Sequence, residues 1–71
     1  MKLLYVTSHA GSWISQAQIE TIYVTREISL ATWRVVARTV SGVDYTVSDS
    51  YESAEEAQLE MQKVINKLQN D

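Results

Sequence analysis

The sequence predicts an α+β fold in which a four-stranded antiparallel β-meander packs on one C-terminal α-helix. Two stretches of the chain support this prediction. Between Trp33 and Val47, apolar and polar residues alternate with the period of two that is typical of half-buried strands. From about Ala54 onwards, apolar residues instead recur at the spacing of an amphipathic helix. Each stretch has one apolar face, so we expect the sheet and the helix to bury these faces against each other.

The opening strand is predicted at about residues 2–7. Lys2 is followed there by a mostly apolar run, and a strand of this composition is expected well inside a sheet. Residues 8–12, Ser-His-Ala-Gly-Ser, are typical of a turn.

The second strand is predicted at about residues 13–25, with a break near residues 15–18. Ser15 could cap a short helix there, because Ile19 and Ile22 follow at helical spacing. A single turn followed by a strand is preferred, since residues 22–25, Ile-Tyr-Val-Thr, favour extended structure.

The third and fourth strands, at about residues 32–39 and 43–49, are predicted to form a β-hairpin. A two-residue Ser-Gly loop would pair Val40 with Val43 and place the second apolar row on the face of the arginines. A three-residue loop with Gly42 in the left-handed region instead pairs Thr39 with Val43. Both apolar rows then share one face, so we predict the three-residue loop.

This register also pairs charges on the other face of the hairpin. Arg38 falls opposite Asp44, an opposite-charge cross-strand pair that stabilises by ~0.2–1 kcal/mol. The corresponding apolar pairs are Val35 with Val47 and Ala37 with Tyr45.

The helix is predicted from about Ala54 to about Gln69, after a capping box. The Ser53 hydroxyl can accept from the Glu56 N–H, while the Glu56 side chain reaches back to the Ser53 amide. The apolar stripe that should face the sheet consists of Ala57, Met61, Val64 and Leu68.

The length of 71 residues predicts a single domain, residues 1–71. A chain of this size buries only ~60% of the surface that its unfolded form exposes. It has no cysteine, so neither disulfides nor a thiolate zinc site can stabilise it. Oligomerisation is the remaining common remedy, and we therefore expect a homodimer or higher oligomer.

The predicted location is the cytoplasm. No apolar run approaches the ~20 residues of a membrane span. The apolar run after Lys2 is too short for a signal peptide, and the lack of cysteine fits a reducing compartment. We therefore expect no membrane association.

Residues suited to catalysis or metal binding are few. His9 is the only histidine and is expected in an exposed loop, with no cysteine in the chain and no acidic residue nearby in sequence. No serine lies in a nucleophile-elbow pattern, and Gly11 and Gly42 are too few for a phosphate-binding loop. We predict no enzymatic activity, no catalytic or metal residues and no cofactor.

The candidate interaction residues are expected on two surfaces outside the core. One is the sheet face opposite the helix, for which no segment of the chain remains as a cover. The other is the outer side of the helix, which has one large apolar residue. Trp13 and Trp33 are expected in the core, with a rim position left open for Trp13. The candidates are Arg34, Val36 and Arg38 on the sheet and Leu59 on the helix.

The pattern of these residues resembles a loose group of short, largely uncharacterised bacterial and phage proteins. These have a W-I-x4-I-x2-I segment, a W-x-V strand, and a Y-x-V strand that leads to S-x-E-E-A before a terminal helix. The matching positions are Trp13, Ile14, Ile19, Ile22, Trp33, Val35, Tyr45, Val47, Ser53, Glu55, Glu56 and Ala57. The resemblance spans nearly the whole chain, and its matched positions are structural.

A second segment, residues 14–22, is similar to the small flagellar FlbD proteins. The Pro-Asp-Thr signature expected after it is missing. Flagellar function is therefore not carried over.

We accordingly predict a non-enzymatic protein–protein interaction or accessory module of bacterial or phage origin that associates with itself. The alternative is a nucleic-acid-binding module that uses Arg34 and Arg38, with Arg26 as a possible third contact. The net charge of −3 argues against this alternative.

Overall fold

The computed structural model describes residues 3–7 and 12–69. This part of the chain contains five strands, one 3-10 turn and one α-helix. The elements are β1 (Leu3–Val6), β2 (Ser12–Ser15), the turn Gln16–Gln18, β3 (Ile19–Glu27), β4 (Thr32–Thr39), β5 (Asp44–Thr46) and α1 (Ala54–Gln69). The α+β class is confirmed, since one C-terminal helix packs on antiparallel sheets.

The predicted four-stranded meander is wrong, because the five strands form two sheets, β1–β2 and β3–β4–β5. The break near residues 15–18 is the cause. The Ser15 hydroxyl accepts from the N–H of Ala17 at 3.3 Å, which caps the 3-10 turn. The turn redirects the chain, so β2 pairs back on β1 while β3 pairs forward with β4.

The position of β1 well inside a sheet is also wrong. β1 pairs with β2 alone, and the two sheets meet just beyond its end. There the N–H of Thr7 donates to the carbonyl of Thr46 at 2.9 Å, and its hydroxyl donates to the carbonyl of Ser48 at 2.8 Å. β1 therefore closes one side of the core as part of a separate hairpin.

The three-residue loop between β4 and β5 is confirmed. The N–H of Gly42 donates to the carbonyl of Thr39, and the N–H of Thr39 donates to the carbonyl of Val43, both at 2.9 Å. Gly42 has φ 87°, in the region that favours glycine. The predicted pairs follow: Ala37 with Tyr45, Arg38 with Asp44 and Val35 with Val47.

Beyond Val47 the chain bulges before it pairs with β4 again. The next paired residues are Trp33 and Tyr51, which exchange two backbone hydrogen bonds of 2.7 Å. In between, the hydroxyl of Ser48 accepts from the buried N–H of Val35 at 2.8 Å and donates to the carbonyl of Asp49 at 2.8 Å. One side chain thus replaces a missing backbone partner.

The helix starts and ends at the residues that the sequence analysis gives. The N–H of Glu56 donates to the Ser53 hydroxyl at 3.2 Å, as the capping box requires. The Glu56 carboxylate accepts from that hydroxyl, also at 3.2 Å, rather than from the Ser53 amide. Among the described residues, no helix is long and apolar enough to cross a membrane.

The core lies between α1 and the two sheets. The sheets contribute residues from the β1–β2 hairpin and from the β4–β5 hairpin. The helix contributes the apolar stripe that the sequence predicts. The buried members are Leu4, Val6, Ile14, Val35, Ala37, Val47, Val64 and Leu68, with Ile19, Ile22, Val24, Tyr45 and Met61 packed around them. The row that contains Val35, Ala37 and Val47 therefore faces the helix, as predicted.

Candidate interaction surface

The sheet face opposite α1 holds both predicted arginines, and we call it the arginine face. Alternation along the strands places its residues there: Thr21, Tyr23, Thr25 and Glu27 on β3, Arg34, Val36 and Arg38 on β4, and Asp44 and Thr46 on β5. No described element of this chain covers this face.

Arg38 is held in place by two neighbours on this face. Its Nε donates to Asp44 Oδ1 at 2.8 Å and its Nη2 donates to Oδ2 at 3.4 Å. Its guanidinium carbon lies 5.6 Å from the centre of the Tyr23 ring. The hydrogen bond to Asp44 raises the pKa of Arg38, and the same bond lowers the pKa of Asp44. The predicted cross-strand pair is confirmed.

Arg34 is also paired, with a partner that the sequence analysis did not identify. Its Nη1 lies 3.2 Å from Glu27 Oε2. The partner is on β3, and a sequence pattern within β4 and β5 gives no sign of it. Phosphate binding at this face would therefore compete with a carboxylate at each guanidinium group.

Val36 lies between the two arginines along β4 but is only 3% exposed. Tyr23 on β3 and Thr46 on β5 are its cross-strand partners. Val36 therefore offers little surface to a partner molecule.

Leu59 lies on the outer side of α1, as predicted, and is 66% exposed. It is far from the arginine face, because α1 occupies the opposite side of the sheet. The four predicted residues therefore do not form one continuous surface. The prediction for His9 falls outside the described residues.

Trp13 is 56% exposed, so the expectation that it lies in the core is wrong. On β2 its neighbour Ile14 points into the core, and the alternation of a strand turns Trp13 outwards. Its ring meets that of Tyr5 at 5.0 Å between centres in an edge-to-face arrangement. A hollow of about 500 Å³ lies beside it, lined in part by Gln18, Thr39 and Ser41.

The longest strand with an open side is β3, and we call its outer side the β3 edge. β3 is the last strand in the order β3–β4–β5 and has nine residues. Within the described residues its outer side bonds to no other strand. A register shift between Ile19 and Thr21 is the one irregularity in its pairing with β4. The length of the run and its β-branched residues indicate a strand, but they do not indicate that the strand lies at an edge.

Clusters of the kind that bind metal ions are absent from the described ranges, where no group of three or more His, Asp or Glu side chains is close enough together. Comparisons with protein-family models, with curated proteins and with solved structures found no match for this chain. The surfaces described above are therefore the basis for a functional proposal.

Proposed function

We propose that this protein is a non-enzymatic protein–protein interaction module that associates with itself through the β3 edge. The observation that carries the proposal is the open side of a nine-residue strand. A row of backbone N–H and C=O groups without partners is a template for another strand. An accessory or regulatory role in a larger assembly would use the same kind of contact.

The β3 edge has few of the devices that prevent strand pairing. Natural edge strands are commonly short, or they carry proline or lysine that blocks the approach of another chain. Residues 19–27 contain neither proline nor lysine. The bulge near Glu20 protects only the start of the strand and leaves a regular stretch from Thr21 to Glu27.

The size of the core supports self-association. The largest side chains that are at most 1% exposed among the described residues are two valines, Val6 and Val35. A chain with so small a core gains stability when another molecule covers more of its apolar surface. Ile22 and Val24 on β3 are half-buried and would gain most.

The two arginines of the arginine face are not part of the proposed contact. Arg34 and Arg38 are each paired with a carboxylate, and the buried Val36 provides no apolar anchor. For the same reason we expect no binding of labelled DNA or RNA at low salt, where phosphate contacts are strongest. Binding that weakens steeply with salt would favour the nucleic-acid alternative.

Sedimentation equilibrium tests the proposal at protein concentrations from ~1 to ~500 μM, a range that includes the affinities of weak interfaces. We expect the average mass to rise above that of the 8.1 kDa chain as concentration increases. Val24→Pro should abolish the rise, because proline removes an outward N–H in the middle of the β3 edge and is tolerated at a strand edge. Val24→Ala is the matched control, since it also shortens the side chain but keeps that N–H.

A monomer across the whole range would overturn the proposal. Equal association by Val24→Pro and Val24→Ala, with unchanged circular dichroism, would show that another surface is responsible.

A further inference from the structure

We infer that the strand on the β3 edge is β3 of a second copy, paired antiparallel about a two-fold axis that passes through Tyr23. This inference rests on the proposed function and specifies its geometry. It predicts which residues of the two copies lie opposite each other. Three strands from each copy would then form one continuous sheet.

The hydrogen-bond pattern of β4 determines which groups of β3 point outwards. Trp33 and Val35 bond to residues 51 and 47, on the side of β4 away from β3. Even-numbered residues of β4 therefore bond towards β3, where their partners have odd numbers, as Val36 faces Tyr23. The backbone groups of the even-numbered β3 residues, among them Ile22 and Val24, point outwards.

Only registers that pair even-numbered with even-numbered residues can make hydrogen bonds across this edge. An axis at Tyr23 satisfies this condition, because it pairs Ile22 with Val24 of the second copy and Val24 with its Ile22. Tyr23 of one copy then lies opposite Tyr23 of the second copy. The two form a non-hydrogen-bonded pair, in which side chains approach most closely.

Charge selects the axis at Tyr23 among the permitted registers. This axis places Glu20 of each copy opposite Arg26 of the other copy, so the dimer contains two such pairs. Both side chains are exposed, and neither has an ion pair within the described part of the chain. An axis at Ile22 would instead place Glu20 opposite Val24, and an axis at Val24 would place Arg26 opposite Ile22.

Side chains on both faces agree with the same axis. On the face towards the helix, the half-buried Ile22 and Val24 meet each other across the junction, which extends the apolar surface under both helices. On the arginine face, Thr21 meets Thr25. A parallel pairing in register would place Glu20 beside Glu20, and like charges disfavour it.

The regular part of the junction covers residues 21–25. The bulge between Ile19 and Thr21 of each copy ends the ladder, one bulge at each end, and the two ion pairs of Glu20 with Arg26 lie just outside it. The flexible side chains of Glu20 and Arg26 can reach each other past the bulge more easily than backbone groups can. The contact is short, so we expect dissociation constants in the micromolar range or weaker (~1 μM or above).

Engineered cysteines test the register directly, because the chain has none of its own. Thr21→Cys and Thr25→Cys are made as separate proteins and oxidised with diamide, alone and as an equal mixture. Opposed residues of a non-hydrogen-bonded pair have Cα atoms ~4.5 Å apart, within the range that a disulfide can span. We expect a covalent dimer in the mixture and none in either protein alone.

Each other outcome counts against the inference. A covalent dimer of Thr21→Cys alone would indicate a parallel pairing or an axis at Thr21. No covalent dimer in the mixture, although wild-type protein self-associates in sedimentation, would overturn the register and leave the proposed function standing. A monomeric wild-type protein would overturn both.

Charge reversal gives an independent test in sedimentation. Glu20→Arg places two like-charged pairs at the junction, and we expect the dimer dissociation constant to rise on the order of tenfold. The double variant Glu20→Arg with Arg26→Glu restores opposite charges and should regain wild-type affinity. Glu52→Arg makes the same charge change away from β3 and should have no effect. Failure of the double variant to recover affinity would contradict the assigned pair.

Discussion

Ser48 and Tyr51 are the residues that join β4 to the segment before the helix. Ser48 supplies the only hydrogen-bond acceptor for the buried N–H of Val35 among the described residues. Tyr51 pairs with Trp33 through its backbone, and its hydroxyl donates to Glu60 Oε1 at 2.9 Å. These two residues therefore connect the sheet to the bulge and to α1.

Replacement of Ser48 by alanine should destabilise the protein by about 1–3 kcal/mol, because a buried N–H loses its partner. Ser50→Ala is the matched control, since Ser50 is exposed in the same bulge and should change stability by less than about 0.5 kcal/mol. Urea unfolding followed by circular dichroism measures both. Equal stability of the two variants would contradict the role of Ser48.

The raised pKa of Tyr51 predicts a loss of stability at alkaline pH. Burial, with help from Glu60, raises the pKa of Tyr51 from its ordinary value of 10.0 to about 12. A raised pKa means that the folded state favours the neutral phenol, so this contribution is complete below pH 10 and is lost as the pH rises towards 12. Tyr51→Phe cannot ionise and should lose less stability over this interval.

The measurement for Tyr51 combines ultraviolet absorbance with unfolding at each pH. The difference between wild-type and Tyr51→Phe absorbance gives the titration of this one tyrosine. A midpoint at its ordinary value, or the same alkaline loss in both proteins, would contradict the assignment.

Residues that are close in sequence were the easiest to predict. Arg38 with Asp44 and Ser53 with Glu56 follow from the turn and from the capping pattern. Ser48 was not identified, because its role depends on the bulge, and no sequence pattern marks where this bulge begins. The partner of Arg34 was missed for a similar reason, since Glu27 is on a strand whose register was not assigned.

The turns at the two ends of β4 differ in the residue that occupies the left-handed region. At one end Gly42 has φ 87°, and a Cβ there would meet nothing within 4 Å. At the other end Ala31 has φ 53°, a left-handed conformation that alanine adopts at a cost. The two turns can therefore be tested with opposite substitutions.

Gly42→Ala should destabilise the β4–β5 hairpin by about 1 kcal/mol, because the strain comes from the backbone alone. Ala31→Gly is the reciprocal change and should cause no loss of stability or a gain below about 1 kcal/mol. Thermal unfolding of both variants checks the pair. A loss in Ala31→Gly as large as that in Gly42→Ala would contradict this account of the two turns.

The sequence predicted the β4–β5 register and the helix more successfully than the first half of the chain. The hairpin has a turn signal and alternation on both sides, and the helix has a cap and a stripe. The break at residues 15–18 was also recognised. Its effect on sheet membership was not, because a local turn does not specify which strand β2 will join. The outward position of Trp13 has another cause, the alternation along β2 that places Ile14 in the core.

One core holds the two sheets and the helix together. Val64 and Leu68 meet Val35, Ala37 and Val47, as the sequence pattern predicts. Leu4, Val6 and Ile14 complete the core from the separate β1–β2 hairpin. This arrangement uses one side of β4 for β5 and the other for β3, and it leaves β3 at the edge.

The β3 edge follows from topology, and sequence alone gave only a general expectation of self-association. A run such as Ile19 to Glu27 has the same composition whether it lies at the centre or at the edge of a sheet. Its position becomes evident only when every described strand has been assigned a neighbour. For this reason none of the four interaction residues predicted from the sequence lies on β3.

Amide hydrogen exchange at two protein concentrations tests the central claim most directly. The N–H groups of Ile22 and Val24 point outwards from β3, whereas those of Tyr23 and Thr25 bond to β4. We predict that the first two exchange slowly in concentrated solution and quickly on dilution, while the second two are protected in both. Exchange at Ile22 and Val24 that does not depend on concentration would contradict the claim that β3 joins two molecules.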